Sequence, residues 1–166
     1  MKKYLFILSV LVMGLASCSK DNSNQQPVVD PAVQAKADDD AIIAYLAAHT
    51  TITATKDATT GLYYQVIEPG TGAAITDNST LVVNYASKTL KDVQIEANDN
   101  VSFKLSTLIP GWRIGLPKIK NGGKIILLIP SGLAYGPYGS GRIPPNTVII
   151  FTVTVKSVDG VTPVVD

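Results

Sequence analysis

His49 and Cys18 are the only histidine and the only cysteine in 166 residues. Any Ser-His-Asp or Cys-His nucleophilic machinery would therefore have to run through His49, and a zinc site would be badly short of ligands. A single cysteine also excludes an internal disulfide. His49 ends an apolar-striped stretch with no nucleophile close by in sequence, which makes a structural role the plainer reading. Asp38-Asp39-Asp40 could suggest a metal cluster, but three consecutive residues on a helix point in different directions. Their place just ahead of Ala41–His49 fits a helix start, where carboxylates meet the positive end of the dipole. A zinc site and nucleophile–base catalysis are thus both poorly supplied, which narrows the chemistry to be expected.

The charge balance excludes a further class. Fourteen Lys and Arg against thirteen Asp and Glu leave a formal charge of +1. No basic stripe is present to neutralise a phosphate backbone, so nucleic acid is not an expected partner. A hydrophobic fraction of 46% suits a chain that buries a core.

The first residues read as an address. Lys2 and Lys3 precede the apolar run Tyr4–Ala16, which is shorter than the ~20 residues a spanning helix needs but suits a signal-peptide core. Leu15-Ala16-Ser17-Cys18 resembles a bacterial lipobox, which implies cleavage after residue 17 and acylation of Cys18. An ordinary secretory signal with a chance cysteine is the alternative. Acylation would tether the chain to the cell envelope, and Ser19 after the cysteine leans toward the outer membrane. Residues 18–37, rich in Ser, Asn, Gln and Pro, are expected to form a flexible tether, followed by a short helix over 38–50 with an apolar stripe of Ile42, Tyr45, Leu46 and His49.

Beyond Gly61 the period changes. Strands are expected at Leu62–Ile67, Thr80–Tyr85, Val101–Leu105, Lys124–Ile129 and Thr147–Val158. Pro110–Leu116 reads as a short helix with proline in its first turn, and Ser131–Asn146 as a glycine- and proline-rich loop. These elements predict an α+β domain over 61–158, its antiparallel sheet wrapped on one short helix, with 159–166 as a tail.

Five motifs follow one another in this region: Pro110-Gly111-Trp112, Lys120-Asn121-Gly122-Gly123-Lys124, Leu133-Ala134-Tyr135-Gly136, Ile143-Pro144-Pro145-Asn146 and Ile150-Phe151. In this order they resemble the FKBP-type peptidyl-prolyl cis-trans isomerases, the macrolide-binding class, and the lead-in resembles that of lipid-anchored bacterial members. The resemblance implies a curved sheet of five to six strands around a short helix. It also implies catalysis of X–Pro rotation in proline-containing polypeptides, macrolides as ligands, and no cofactor.

The resemblance further implies a pocket. Trp112 would be its floor, Tyr85 and Phe151 its aromatic walls, and Tyr135 and the Ile109 N–H its donors to a carbonyl. Leu108 and Ile143 would form the rim. Ile95 and Glu96 stand where the family has a Phe-Asp pair, and Val101 stands where another pocket aromatic is expected. Taken singly, Trp112 and Phe151 could equally be core residues. Two functions follow: an isomerase acting on exported proteins, or a non-catalytic binding or chaperone module with a degenerate pocket.

Overall fold

The structure, a computed structural model, describes residues 29–163. The expected signal peptide, Cys18 and most of the tether lie outside these residues. Helix α1 spans Pro31–Ala48, starting at Pro31 rather than Asp38. The cause is local: Asp30 accepts a hydrogen bond from the Ala32 N–H at 2.8 Å, and Pro31 fills the first turn, where its missing N–H costs nothing. The alanines that follow extend the helix easily. Asp38, Asp39 and Asp40 are therefore mid-helix, a correction to their placement at its start, and they point to three different partners. Asp38 binds Ser131, Asp39 binds Tyr63 and Lys56, and Asp40 binds Lys36.

Six strands form one antiparallel sheet in the order β1-β2-β5-β6-β3-β4. They are β1 (Thr55–Lys56), β2 (Tyr63–Glu68), β3 (Thr80–Thr89), β4 (Gln94–Lys104), β5 (Lys124–Ile129) and β6 (Ile149–Val158). Helix α2, Pro110–Gly115, lies between β4 and β5 in sequence. The mixed architecture with a short helix agrees with the sequence reading. Two features differ: β1 lies ahead of Gly61, and β3 and β4 form a long hairpin turning at Asp92.

Alternation along the central strands builds two cores. Ile125, Leu127 and Ile129 of β5 join Ile149, Phe151, Val153 and Val155 of β6 against Trp112 and Leu116. The intervening residues Leu128 and Ile150 pack with Ile42 and Tyr45 of α1 and with Tyr63. Because successive strand residues face opposite sides, α1 covers one face of the sheet and α2 the other. His49 caps α1 and stacks on Tyr45, ring centroids 3.8 Å apart. It also contacts the Asp92 carboxylate at 3.2 Å, as the Tyr45 hydroxyl does at 3.0 Å. The hairpin turn is thereby tied to the end of α1.

Candidate functional site

Helix α2 approaches β5 closely because two of its residues have no side chain. A Cβ on Gly111 would stand 2.5 Å from Ile129 Cγ2, and one on Gly115 would stand 2.5 Å from Leu127 Cδ2. This approach seats Trp112 deep, at 4% exposure. Arg113 then pairs with Asp77 through Nε at 2.8 Å and Nη2 at 3.0 Å, which ties α2 to the β2–β3 connection.

Three rings stand nearly at right angles or tilted around the indole. Phe151 lies 5.3 Å away at 89°, Tyr85 5.5 Å at 85° and Phe103 6.0 Å at 83°. Such edge-to-face contacts are favoured by the ring quadrupoles. The rings enclose a cavity of about 150 Å³ lined by Tyr85, Glu96, Phe103, Leu108, Ile109, Trp112, Tyr135 and Phe151. The indole Nε1 is buried without a hydrogen-bond partner among the described residues, an unusual condition for a buried donor.

The structure thus brings Tyr85, Trp112, Tyr135 and Phe151 to one cavity, with Leu108, Ile109 and Glu96 at its wall. Ile95 and Ile143 line a wider groove of about 610 Å³ that shares Glu96 and Tyr135 with it, and Gln94, Asn98 and Arg142 line the same groove. Val101 lines neither space. Phe103, two residues further along the same strand, lines the cavity and was not named by the sequence reading, whereas Val101, expected at the pocket, is not brought to it.

Strand register brings Glu96 to the same face as Phe103. Leu81 pairs with Phe103 and Val83 with Val101, but Tyr85 then pairs with Asn98, so β4 carries an extra residue between them. A second bulge follows, since Ser87 pairs with Glu96 while Lys88 pairs with Gln94. Directly opposed residues share a face, and each extra residue exchanges the faces beyond it. Glu96 is therefore turned toward the cavity, and Ile95 sits at a bulge beside it. Alternation counted along the sequence does not reveal either bulge. The signal within the sequence is Asn100, which takes positive φ at 54°, a conformation asparagine tolerates better than most residues. Its N–H donates to Asn84 at 2.8 Å.

The donors are placed by loops. The Tyr135 hydroxyl makes no hydrogen bond among the described residues, and burial beside the Glu96 carboxylate pushes its pKa above the ordinary value. Burial also raises the Tyr85 phenol, whose oxygen accepts from Asn98 Nδ2 at 3.0 Å. Both phenols therefore remain protonated at neutral pH. Ile109 precedes α2 in an extended conformation, and its carbonyl accepts from Trp112 and Arg113. No group of three or more His, Cys, Asp or Glu able to hold a metal occurs among the described residues.

An antiparallel sheet over a short tryptophan-bearing helix, with an aromatic cavity between them, defines the class of FKBP-like domains. Comparison with known proteins agrees, since residues 72–156 match the family described as FKBP-type peptidyl-prolyl cis-trans isomerase, and the chain belongs to that family. It is 44% identical over 107 residues to the FKBP-type peptidyl-prolyl cis-trans isomerase FkpA of Escherichia coli K12, a match covering 62% of this chain and 40% of that protein. The FkpA of Aeromonas hydrophila is 33% identical over 141 residues, covering 79% of this chain and 53% of its own length. Among solved structures, FkpA from Escherichia coli superposes with a TM-score of 0.64 at 36% identity, covering 80% of this chain and 64% of that one. A peptidyl-prolyl cis-trans isomerase from Pseudomonas syringae pv. tomato superposes with a TM-score of 0.64 at 26% identity, covering 78% and 96%. The chain spans about half or less of the length of the curated relatives it matches here.

Proposed function

We propose that the protein is a peptidyl-prolyl cis-trans isomerase acting on proline-containing polypeptides in the bacterial cell envelope. The observation that carries this is the cluster of Tyr85, Phe103, Phe151 and Trp112 lining a cavity of about 150 Å³, with Tyr135 and Ile109 offering donors at its edge. An X–Pro amide turns over a barrier of ~18–20 kcal/mol, and uncatalysed exchange takes tens to hundreds of seconds. No covalent bond breaks, so no nucleophile is required.

The planar amide carries separated charge through resonance, and the twisted amide loses part of it. A dry aromatic cavity therefore disfavours the planar form more than the twisted one, which is differential binding of the transition state. In this reading the proline ring rests on Trp112, while the Tyr135 hydroxyl and the Ile109 N–H hold the preceding carbonyl and fix the frame about which the bond turns. Leu108 and Ile143 shield the opening. Ile95 and Glu96 face the flanking chain along the wider groove, and macrolide ligands would compete for the same cavity.

Phe103 adds a ring to the cavity, which favours the isomerase over the binding-only alternative. The basic leader and the Leu15-Ala16-Ser17-Cys18 motif support a location at the envelope, held by acylated Cys18 and facing the periplasm or the surface from the outer membrane. The deciding experiment is cis–trans exchange of a Leu-Pro peptide measured by NMR with the purified protein. Exchange well above the uncatalysed rate and blocked by a macrolide is the expected result. No acceleration from a folded sample would favour a chaperone-like module.

A further inference from the structure

We infer that Asp38 is a positioning residue for the isomerase site, holding from the opposite face of the sheet the turn that delivers Tyr135. Asp38 is 3% exposed and Ser131 1%. One carboxylate oxygen, Oδ2, accepts from both the Ser131 N–H and the Ser131 Oγ, each at 2.7 Å. The other, Oδ1, accepts from Gln34 Nε2 at 2.7 Å. Burying a carboxylate is costly unless it is fully hydrogen-bonded, and these bonds to a charged acceptor are the strong kind. Nothing in α1 itself calls for a charge at this place. Alanine is the better helix former, and the neighbouring contacts of α1 with the sheet, Ile42 and Tyr45, are a hydrocarbon side chain and an aromatic ring.

What the carboxylate holds is the start of a tight turn, Ser131–Leu133, that follows β5. Within it the Leu133 N–H donates to Pro130 at 2.9 Å and the Ala134 N–H to Ser131 at 3.0 Å. Tyr135 is the next residue, and on its far side the Asn146 N–H closes the loop onto the Gly136 carbonyl at 2.8 Å. Beside the apolar packing of Leu133, Ala134 and Tyr135 on the core, Tyr135 lies between two hydrogen-bonded points, and only the first receives a side chain from another element. Gly132, Gly136, Gly139 and Gly141 supply no side-chain anchoring along the rest of the loop. Releasing Ser131 would let the turn drift and spoil the aim of the Tyr135 hydroxyl, while α1 stays docked through Ile42 and Tyr45.

Resting on the isomerase reading above, the test is a double-mutant cycle in the full chain with a Leu-Pro peptide. Asp38→Ala is expected to lower kcat/KM roughly tenfold, the scale of a modest misalignment of a positioned group. Asp38→Asn restores most of the loss, because its amide oxygen still accepts from Ser131. In a Tyr135→Phe background, Asp38→Ala costs little more. Losses that multiply across the cycle, or no loss from Asp38→Ala, would overturn the assignment. Should Asp38→Ala fail to fold, Ser131→Ala removes one of the two bonds and enters the same cycle with a smaller expected loss. Carbon-labelled tyrosine gives a readout independent of turnover: the Tyr135 ring resonances shift in Asp38→Ala while those of Tyr85 hold. A wild-type protein that does not accelerate exchange would remove the functional reading but leave these resonances to decide, and unmoved Tyr135 signals would end the role given to Asp38.

Discussion

Trp112 and Phe151 meet edge to face, their ring centroids 5.3 Å apart and their planes at 89°. One ring comes from a six-residue helix and the other from a central strand, so the cavity exists only where these two elements touch. Because Trp112 is the sole tryptophan, its fluorescence reports on the site directly.

Replacing the floor is the first test. Trp112→Leu is expected to reduce kcat/KM roughly 10- to 100-fold, the scale of lost apolar contacts in a reacting pocket, and to lower stability by about 2 kcal/mol through incomplete filling of the space. Peptide exchange by NMR alongside chemical denaturation reads both. Unchanged turnover would show that Trp112 is core and not floor.

Phe103 and Val101 separate two readings of one strand. Phe103→Ala removes a ring of the cavity and is expected to weaken peptide binding several-fold, followed by competition with a macrolide. Val101→Ala, outside the cavity, is expected to change activity by less than about twofold, in line with substitutions away from a site. The reverse ranking would mean that β4 pairs with β3 in a different register.

Gly111→Ala tests the close approach of α2 to β5. Overpacking against Ile129 should outweigh the gain in helix propensity and cost about 1–2 kcal/mol, with a fall in turnover as Trp112 is displaced. A more stable and fully active variant would show that Ile129 yields without cost.

Acid should weaken the domain in a defined window. Hydrogen bonds from Lys118, Thr60 and Thr59 hold the Asp57 carboxyl at about 2, below its ordinary 3.8, and the Lys118 bond is 2.8 Å long. Lys88, Tyr45 and His49 hold Asp92 at about 2 likewise. The unfolded chain therefore binds more protons between these values, so the stabilisation is complete above pH ~4 and is lost as pH falls toward ~2. Urea midpoints measured from pH 6 to 2 should show this decline, and Asp57→Asn should flatten it while lowering the midpoint at neutral pH. A midpoint independent of pH in the wild type would contradict it.

The tether has its own test. Metabolic labelling with a fatty acid should mark the wild-type protein and leave Cys18→Ser unlabelled, the label being expected on the only cysteine of the chain. Label that persists in the variant would exclude acylation at Cys18.

Much of the architecture was legible because it is local. Proline ahead of Gly111-Trp112 marks a helix start, Gly122-Gly123 opens β5, and the alternation of Phe151, Val153 and Val155 with Thr152 and Thr154 marks a strand with one face in a core. The order of the motifs carried the fold family, and seven of the expected site residues, Tyr85, Glu96, Leu108, Ile109, Trp112, Tyr135 and Phe151, do line one cavity. The start of α1 was missed because a window rich in Ser, Asn and Gln masks a capping Asp30-Pro31 pair and the alanines behind it.

Periodicity, caps and turns are decided by neighbours along the chain, so the elements and the residue types available to a pocket can be read locally. Tertiary structure alone decided which side chains meet. The β4 bulge between Val101 and Asn98 settles that Glu96 shares a face with Phe103 and Tyr85, because an extra residue exchanges the faces beyond it, while Val101, on that same face, does not line the cavity. The docking of α1 across the sheet settles that Asp38 reaches Ser131, 93 residues away in sequence. No local pattern encodes that contact, because a buried carboxylate finds its donors only after both cores have closed around it.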